Sequence, residues 1–153
     1  MRRNDREITD PALMEDILRR GLVCRLGVIR GDDPYIVPMS FGYEDGCLYF
    51  HSAMEGLKVD CIRNRDRVCF EVECDVTVTE SDEACDWTMG YGSVVGYGTI
   101  SEVSGNREKL KALNILMRHY SGRKGWSVPP GQLDRTLVLK LDIVEITGKR
   151  SAG

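Results

Sequence analysis

Apolar positions in this chain recur mostly at every second residue, the period of a half-buried strand. The clearest case runs from Tyr35 to Val72. Tyr35, Val37, Met39 and Phe41 alternate with Ile36, Pro38 and Ser40, Glu44-Asp45-Gly46 supplies a turn signal, and Cys47 to Phe50 resumes an extended apolar run. This predicts strand, tight turn, strand, then a loop, a short helix over 58–64 and another strand over 67–74. In that last strand Val68, Phe70 and Val72 share one face and Cys69, Glu71 and Glu73 the other. Upstream, residues 22–29 form a further strand candidate and Arg30 to Pro34 a turn into the hairpin, so three consecutive antiparallel strands are expected. Downstream, the acidic stretch 75–86 reads as a loop with room for an edge strand at 76–78. Residues 94–103 are a long strand interrupted by Gly96 and Gly98, which mark either a barrel corner or clearance for a flat ring. Residues 136–146 close the chain as a strand.

Helical spacing appears elsewhere. Leu13, Met14, Ile17 and Leu18 follow Asp10-Pro11, an N-cap and a favoured first helical residue, and Gly21 is a natural stop. Over 106–120, Leu110, Leu113, Leu116, Met117 and Tyr120 form one stripe. His119, in the last turn, is most simply a surface or capping group that suits the helix dipole. Residues 124–132, with Pro129-Pro130-Gly131, read as a loop. The pattern as a whole predicts a mainly β protein with an N-terminal, a middle and a C-terminal helix around an antiparallel barrel of six or more strands.

With 153 residues, 42% hydrophobic and 29% charged, one domain over 1–153 is expected. A net charge of -3 does not suit a bulk-basic nucleic-acid binder, and no apolar run approaches the roughly 20 residues of a bilayer helix. The basic lead Met1–Glu7 has no apolar segment behind it, so a soluble, cytoplasmic protein is expected. Six cysteines at 24, 47, 61, 69, 74 and 85 lack metal-ligand spacing and fall largely on apolar patterns, which suits buried reduced thiols, with Cys74 and Cys85 the exceptions. No metal site is expected.

Chemistry concentrates where the second strand of the hairpin ends. His51 and Ser52 precede a loop with Gly56, and Lys58 enters as a helix begins, so imidazole, hydroxyl, backbone amides and an ammonium gather at a helix N-terminus, a place for an anion. Only two histidines are present, and Gly-x-Ser-x-Gly, Walker and dinucleotide-glycine motifs are absent, which argues against a hydrolytic triad and against the usual nucleotide loops.

The ordered set Cys24-Arg25-Leu26-Gly27, Pro34 to Tyr43, Leu48 to Ala53, Gly56-Leu57-Lys58, Val68 to Val72, Ser93 to Gly98 and Met117-Arg118-His119-Tyr120 resembles the flavin-binding split barrels of the pyridoxamine 5'-phosphate oxidase-like superfamily, and within it the nitroimidazole-resistance (Nim) type. The resemblance implies FMN held across a homodimer interface. By position, Val37, Pro38, Met39 and Ser40 match the strand beneath the flavin ring, while His51, Ser52, Ala53, Gly56 and Lys58 match the segment that takes the phosphate and ribityl tail. Ser93 matches a polar residue that reaches in from the partner, with Trp87 and Tyr91 near enough in sequence to wall the pocket. Trp87 and Tyr91 can equally be interface anchors, Pro38 a strand-edge residue and Lys58 a solvated helix cation. His51 is implied either to donate a proton to a small reduced acceptor or only to hydrogen-bond the cofactor tail. Tyr35 stands where the oxidase branch has an arginine, Leu57-Lys58 where it has an Arg-Lys pair, and nothing after Thr136 matches its tryptophan-containing segment. Pyridoxamine phosphate oxidation is therefore not expected. The resemblance implies an oxidoreductase acting on a nitroimidazole or quinone-like acceptor, or else a flavin-storing module, or a binder of F420 or haem.

Overall fold

The computed structural model describes residues 4–152; the lead Met1–Arg3 lies outside them. After a 3₁₀ turn the elements run β1 (Glu7–Ile8), α1 (Pro11–Arg20), β2 (Cys24–Arg30), β3 (Asp33–Met39), β4 (Gly42–Glu44), β5 (Cys47–Ser52), α2 (Leu57–Asn64), β6 (Arg67–Thr79), β7 (Thr88–Glu102), α3 (Asn106–Ser121), α4 (Pro130–Leu133) and β8 (Leu137–Ala152). All pairings are antiparallel, in the order β3-β2-β6-β7-β8-β5-β4, with β1 added to β8. Asp10 caps α1 as expected, its carboxylate accepting from the Ala12 amide at 2.9 Å, and the Gly21 amide closes the helix on the Ile17 carbonyl.

The two ends of this ladder are neighbours in the chain. β3 pairs with β2, β4 pairs with β5, and only Ser40 and Phe41 join β3 to β4. The sheet therefore curls back on itself without closing: a split barrel. Here the structure corrects the expected run of three paired strands. The stretch 35–43 keeps one inward-facing alternation, yet at Ser40–Phe41 it leaves one end of the sheet for the other. The physical reason is a bond from outside the sheet: the Phe41 amide donates not to a strand but to the Tyr120 hydroxyl, at 3.0 Å. The Glu44–Cys47 hairpin turns through Asp45 and Gly46, both at positive φ, the twist that tight hairpins favour.

The barrel interior is filled by Phe41, Phe50 and Phe70 with Leu26, Leu48, Leu139 and Leu141, all essentially inaccessible. Gly96 and Gly98 point into this packing. A Cβ at Gly96 would come within 2.5 Å of the Phe70 ring, and Gly98 sits at the register shift between β7 and β8. They make a barrel corner; the room they leave is taken by the protein's own atoms. On α3 the buried positions are Ala112, Ile115 and Leu116, so the face against the sheet is turned from the expected leucine stripe, and Tyr120 stays partly exposed.

Several expected boundaries move. The stretch 75–79 is strand, because β6 continues past a bulge between Cys74 and Thr77 with Asp75 at positive φ, and β7 starts at Thr88. The two form an arm whose Val76, Val78, Trp87 and Met89 are exposed. β8 runs on to Ala152, and a short helix, α4, interrupts the expected loop 124–132. All six cysteines are free; Cys74 is buried rather than an exception, and Cys85 is exposed. Burial pushes the Cys24 thiol well above the usual range, so it serves as a core side chain. Among the described residues, no helix is long and apolar enough to cross a membrane.

Candidate functional site

Two free strand edges border the split. β3 is paired only on its β2 side. On β5, β4 reaches no further than Tyr49, so Phe50, His51 and Ser52 are paired only with Leu139, Val138 and Leu137 of β8. Along β3, Val37 is half-buried and Met39 buried, while Pro38 and Ser40 face outward and are exposed. Along β5, His51 and Ala53 are exposed and Ser52 is buried. Four residues separate β5 from α2, which packs its Val59, Cys61 and Ile62 inward, with β2 as its neighbour.

This corner contains an unsatisfied group. Among the described residues, Ser52 Oγ is the one buried side-chain oxygen or nitrogen with no hydrogen-bond partner. A buried hydroxyl is ordinarily paired, so an orphan asks for an occupant. Close by in sequence, α2 has Gly56 at φ 129 as its N-cap, with no side chain capping it; the Gly56 carbonyl is occupied by the Val59 and Asp60 amides, leaving those of Leu57 and Lys58 open. Lys58 is half-buried and, among the described residues, makes no ion pair. A hydroxyl, two free amides, a helix N-terminus and an ammonium fit the phosphate end of a nucleotide-like cofactor. Val37–Ser40 thus lie at the unpaired edge of β3 and just beyond it, and His51–Lys58 run from the unpaired end of β5 into the start of α2.

Trp87, Tyr91 and Ser93 are not brought there within one chain. Ser93 pairs with Lys149, whereas His51 pairs with Val138, and the stretch of β8 between those partners is roughly 35 Å of extended chain. Trp87 sits at the tip of the arm, just beyond the last pair Thr79–Thr88, its Nε1 donating to the Ser81 carbonyl at 2.6 Å. Tyr91 and Ser93 do share the outer face of β7 with Val95 and Tyr97, which are 41% and 43% exposed. Registers align Ile36, Gly27, Cys69 and Tyr97 in one row across β3, β2, β6 and β7 of that face. Next to the row, Arg25 bridges Glu71 and Glu73 at 2.9 and 2.8 Å.

The end of α3 is a fastener for the split, not the surface or capping feature expected at His119. His119 is half-buried; its Nε2 donates to the Gly21 carbonyl at 2.7 Å, and its ring lies 4.6 Å from that of Phe41. Burial holds its pKa below the usual histidine value. Tyr120 accepts from the Phe41 amide and donates to the Leu22 carbonyl at 2.8 Å, and Arg118 pairs with Glu44 at 2.8 Å. Three consecutive residues tie together the start of β2, the Ser40–Phe41 junction and β4. A histidine and tyrosine side by side at a helix end was the available signal, but their partners lie far away in sequence.

The pyridoxamine 5'-phosphate oxidase family profile matches residues 10–150. No curated protein matches the chain. Among solved structures, a candidate 5-nitroimidazole antibiotic resistance protein from Bacteroides thetaiotaomicron is 30% identical with a TM-score of 0.84, covering 94% of this chain and 86% of that one. A FAD and haem binding protein from Mycobacterium smegmatis gives a TM-score of 0.86 at 18% identity, over 97% of this chain and 74% of that one. The flavocytochrome Anf3 from Azotobacter vinelandii gives 0.84 at 18%, over 100% and 72%. The split between β3 and β4, the anion-competent corner beside it and the match over nearly the whole length lead to one assignment: the chain belongs to the pyridoxamine 5'-phosphate oxidase family and is built like its nitroimidazole-resistance type.

Proposed function

We propose that this protein is an FMN-dependent oxidoreductase of the nitroimidazole-resistance type, active as a homodimer toward a small nitro- or quinone-like acceptor. The observation that carries the reading is the orphaned Ser52 hydroxyl, four residues ahead of the uncapped N-terminus of α2. Ser52, Gly56 and Lys58 hold the cofactor phosphate, with Lys58 as a point charge and the helix end supplying donors. Val37, Pro38, Met39 and Ser40 present backbone groups along the unpaired edge of β3 to the polar rim of the ring, and Ala53 leaves space beside the tail. Trp87, Tyr91 and Ser93 come from the second copy. When bound, the flavin supplies the redox chemistry. His51, exposed at the lip of the opening, supplies a proton to the acceptor as it is reduced.

The first test is the absorption spectrum of the purified protein, with mass identification of any released cofactor. Flavin bands and the mass of FMN support the reading; a haem Soret band, an F420 spectrum, or a protein that stays colourless after flavin is added rejects it. His51→Ala should then retain FMN and reduce nitro compounds at least about tenfold more slowly, within the usual contribution of a positioned acid. Unchanged turnover would remove His51 from the reaction, and a flavin that stays bound yet passes electrons to no acceptor would make the protein a storage module.

A further inference from the structure

A cleft lies between the outer face of α3, Glu44 of β4 and the loop that follows α3. Its volume is about 570 Å³, within the range of small-molecule sites. Its floor is apolar: Leu110, the buried Ile115 and Trp126. The loop is not loosely draped. Asn114 Nδ2 donates to the Trp126 carbonyl at 2.9 Å, and the Trp126 amide donates back to Asn114 Oδ1 at 2.8 Å, so one asparagine pins the Trp126 backbone to the helix, while the indole Nε1 donates to Ser121 Oγ at 3.3 Å. The guanidinium of Arg123 lies 4.8 Å from the indole centroid.

The rim carries the opposite chemistry. Arg107, Lys111 and Lys124 line the cleft and none makes an ion pair among the described residues, although Asp and Glu outnumber Lys and Arg in the chain by 24 to 21. The acid that lines the cleft, Glu44, is neutralised by Arg118. Outward cations on a helix are ordinary by themselves. Here three unpaired ones converge over a pinned apolar floor, a combination that concentrates anions while offering desolvated surface to whatever carries them.

We propose that this cleft binds a small anion carried on an apolar, ring-sized body, an aromatic carboxylate or phosphate, at residues distinct from those proposed for the flavin. The test uses the FMN-saturated protein and its two indole N–H signals in a ¹⁵N spectrum, titrated with 1-naphthoate, 1-naphthyl phosphate, neutral 1-naphthalenemethanol and inorganic phosphate. The expected result is a saturable shift of the Trp126 signal, with Trp87 still, by one or both aromatic anions, bound at least tenfold more tightly than the alcohol or inorganic phosphate. Which anion binds better says whether the site prefers carboxylate or phosphate. Arg107→Ala with Lys111→Ala, and separately Lys124→Glu, all exposed positions, should each weaken binding about tenfold with melting temperature unchanged. Equal binding of the neutral alcohol, shifts confined to residues outside the cleft, or variants that bind as tightly as the parent would overturn the proposal.

Discussion

A hydroxyl left buried without a partner costs about 1–3 kcal/mol, so Ser52 is a place where the empty and occupied protein should respond differently to one substitution. Ser52→Ala removes the orphan oxygen and little volume. Without flavin its unfolding free energy should equal or exceed the parent's; with FMN, affinity should fall about tenfold, close to 1.4 kcal/mol. Thermal melts with and without FMN separate the two effects, and a variant less stable without flavin would mean that the hydroxyl already has a partner. His119 makes a prediction in pH. The neutral ring, with its proton on Nε2, donates to Gly21, and burial lowers its folded pKa below 6.5. Below about pH 6.5 the unfolded chain therefore binds a proton that the folded one refuses, and stability from this group is lost as pH falls from there through the folded value. Denaturant unfolding at pH 7.5 and 5.5 should show a drop in the parent that shrinks in His119→Phe, which keeps a ring beside Phe41; an equal drop in both would assign it elsewhere.

At the scale of elements, the split depends on how closely α3 lies against β4. A Cβ at Gly42 would sit 2.7 Å from both the Leu116 Cα and its backbone nitrogen, and a helix backbone cannot rotate aside as a side chain can. Gly42→Ala should cost about 1–3 kcal/mol, with a matching fall in melting temperature. Gly131→Ala, with open space around it, should cost far less; equal effects would mean that α3 yields freely. This packing also explains what the sequence could and could not disclose. The alternation from Tyr35 to Tyr43 passes through Ser40–Phe41 unbroken, because it records which side chains face inward, not which backbone each strand bonds to. The break is made by a tyrosine hydroxyl from residue 120, which leaves no local trace. The arm over 75–90 was hidden by its composition: acidic, exposed on both faces and bent at Asp75, it lacks the half-buried pattern that betrays a strand. The grouping of His51, Ser52, Gly56 and Lys58 ahead of a helix start can be read from residue types and spacing, while the orphan state of Ser52 is a property of packing.

At the scale of the whole molecule, one chain holds only part of the proposed site. His51, Ser52 and Lys58 border the split, but Tyr91 and Ser93 lie on the outer sheet face, roughly 35 Å of strand away. That face is suited to another protein surface. Ile36 is 65% exposed, Gly27 and Cys69 keep the middle of the row low, and Tyr97 stands at its far end with the Arg67 guanidinium 5.6 Å from its ring. Exposed apolar residues clustered on a sheet mark an interaction site more often than a solvated one. If a second copy covers this row and brings its own Tyr91 and Ser93 to the split, charging the row should separate the copies and empty the flavin site together, with the split's residues untouched. Ile36→Asp and Tyr97→Asp should each sediment as a monomer and release FMN on gel filtration, with the far-ultraviolet circular dichroism of the parent. A monomeric variant that keeps FMN at parental affinity would mean that the cofactor needs one chain only, and a variant that stays dimeric would place the interface on another face.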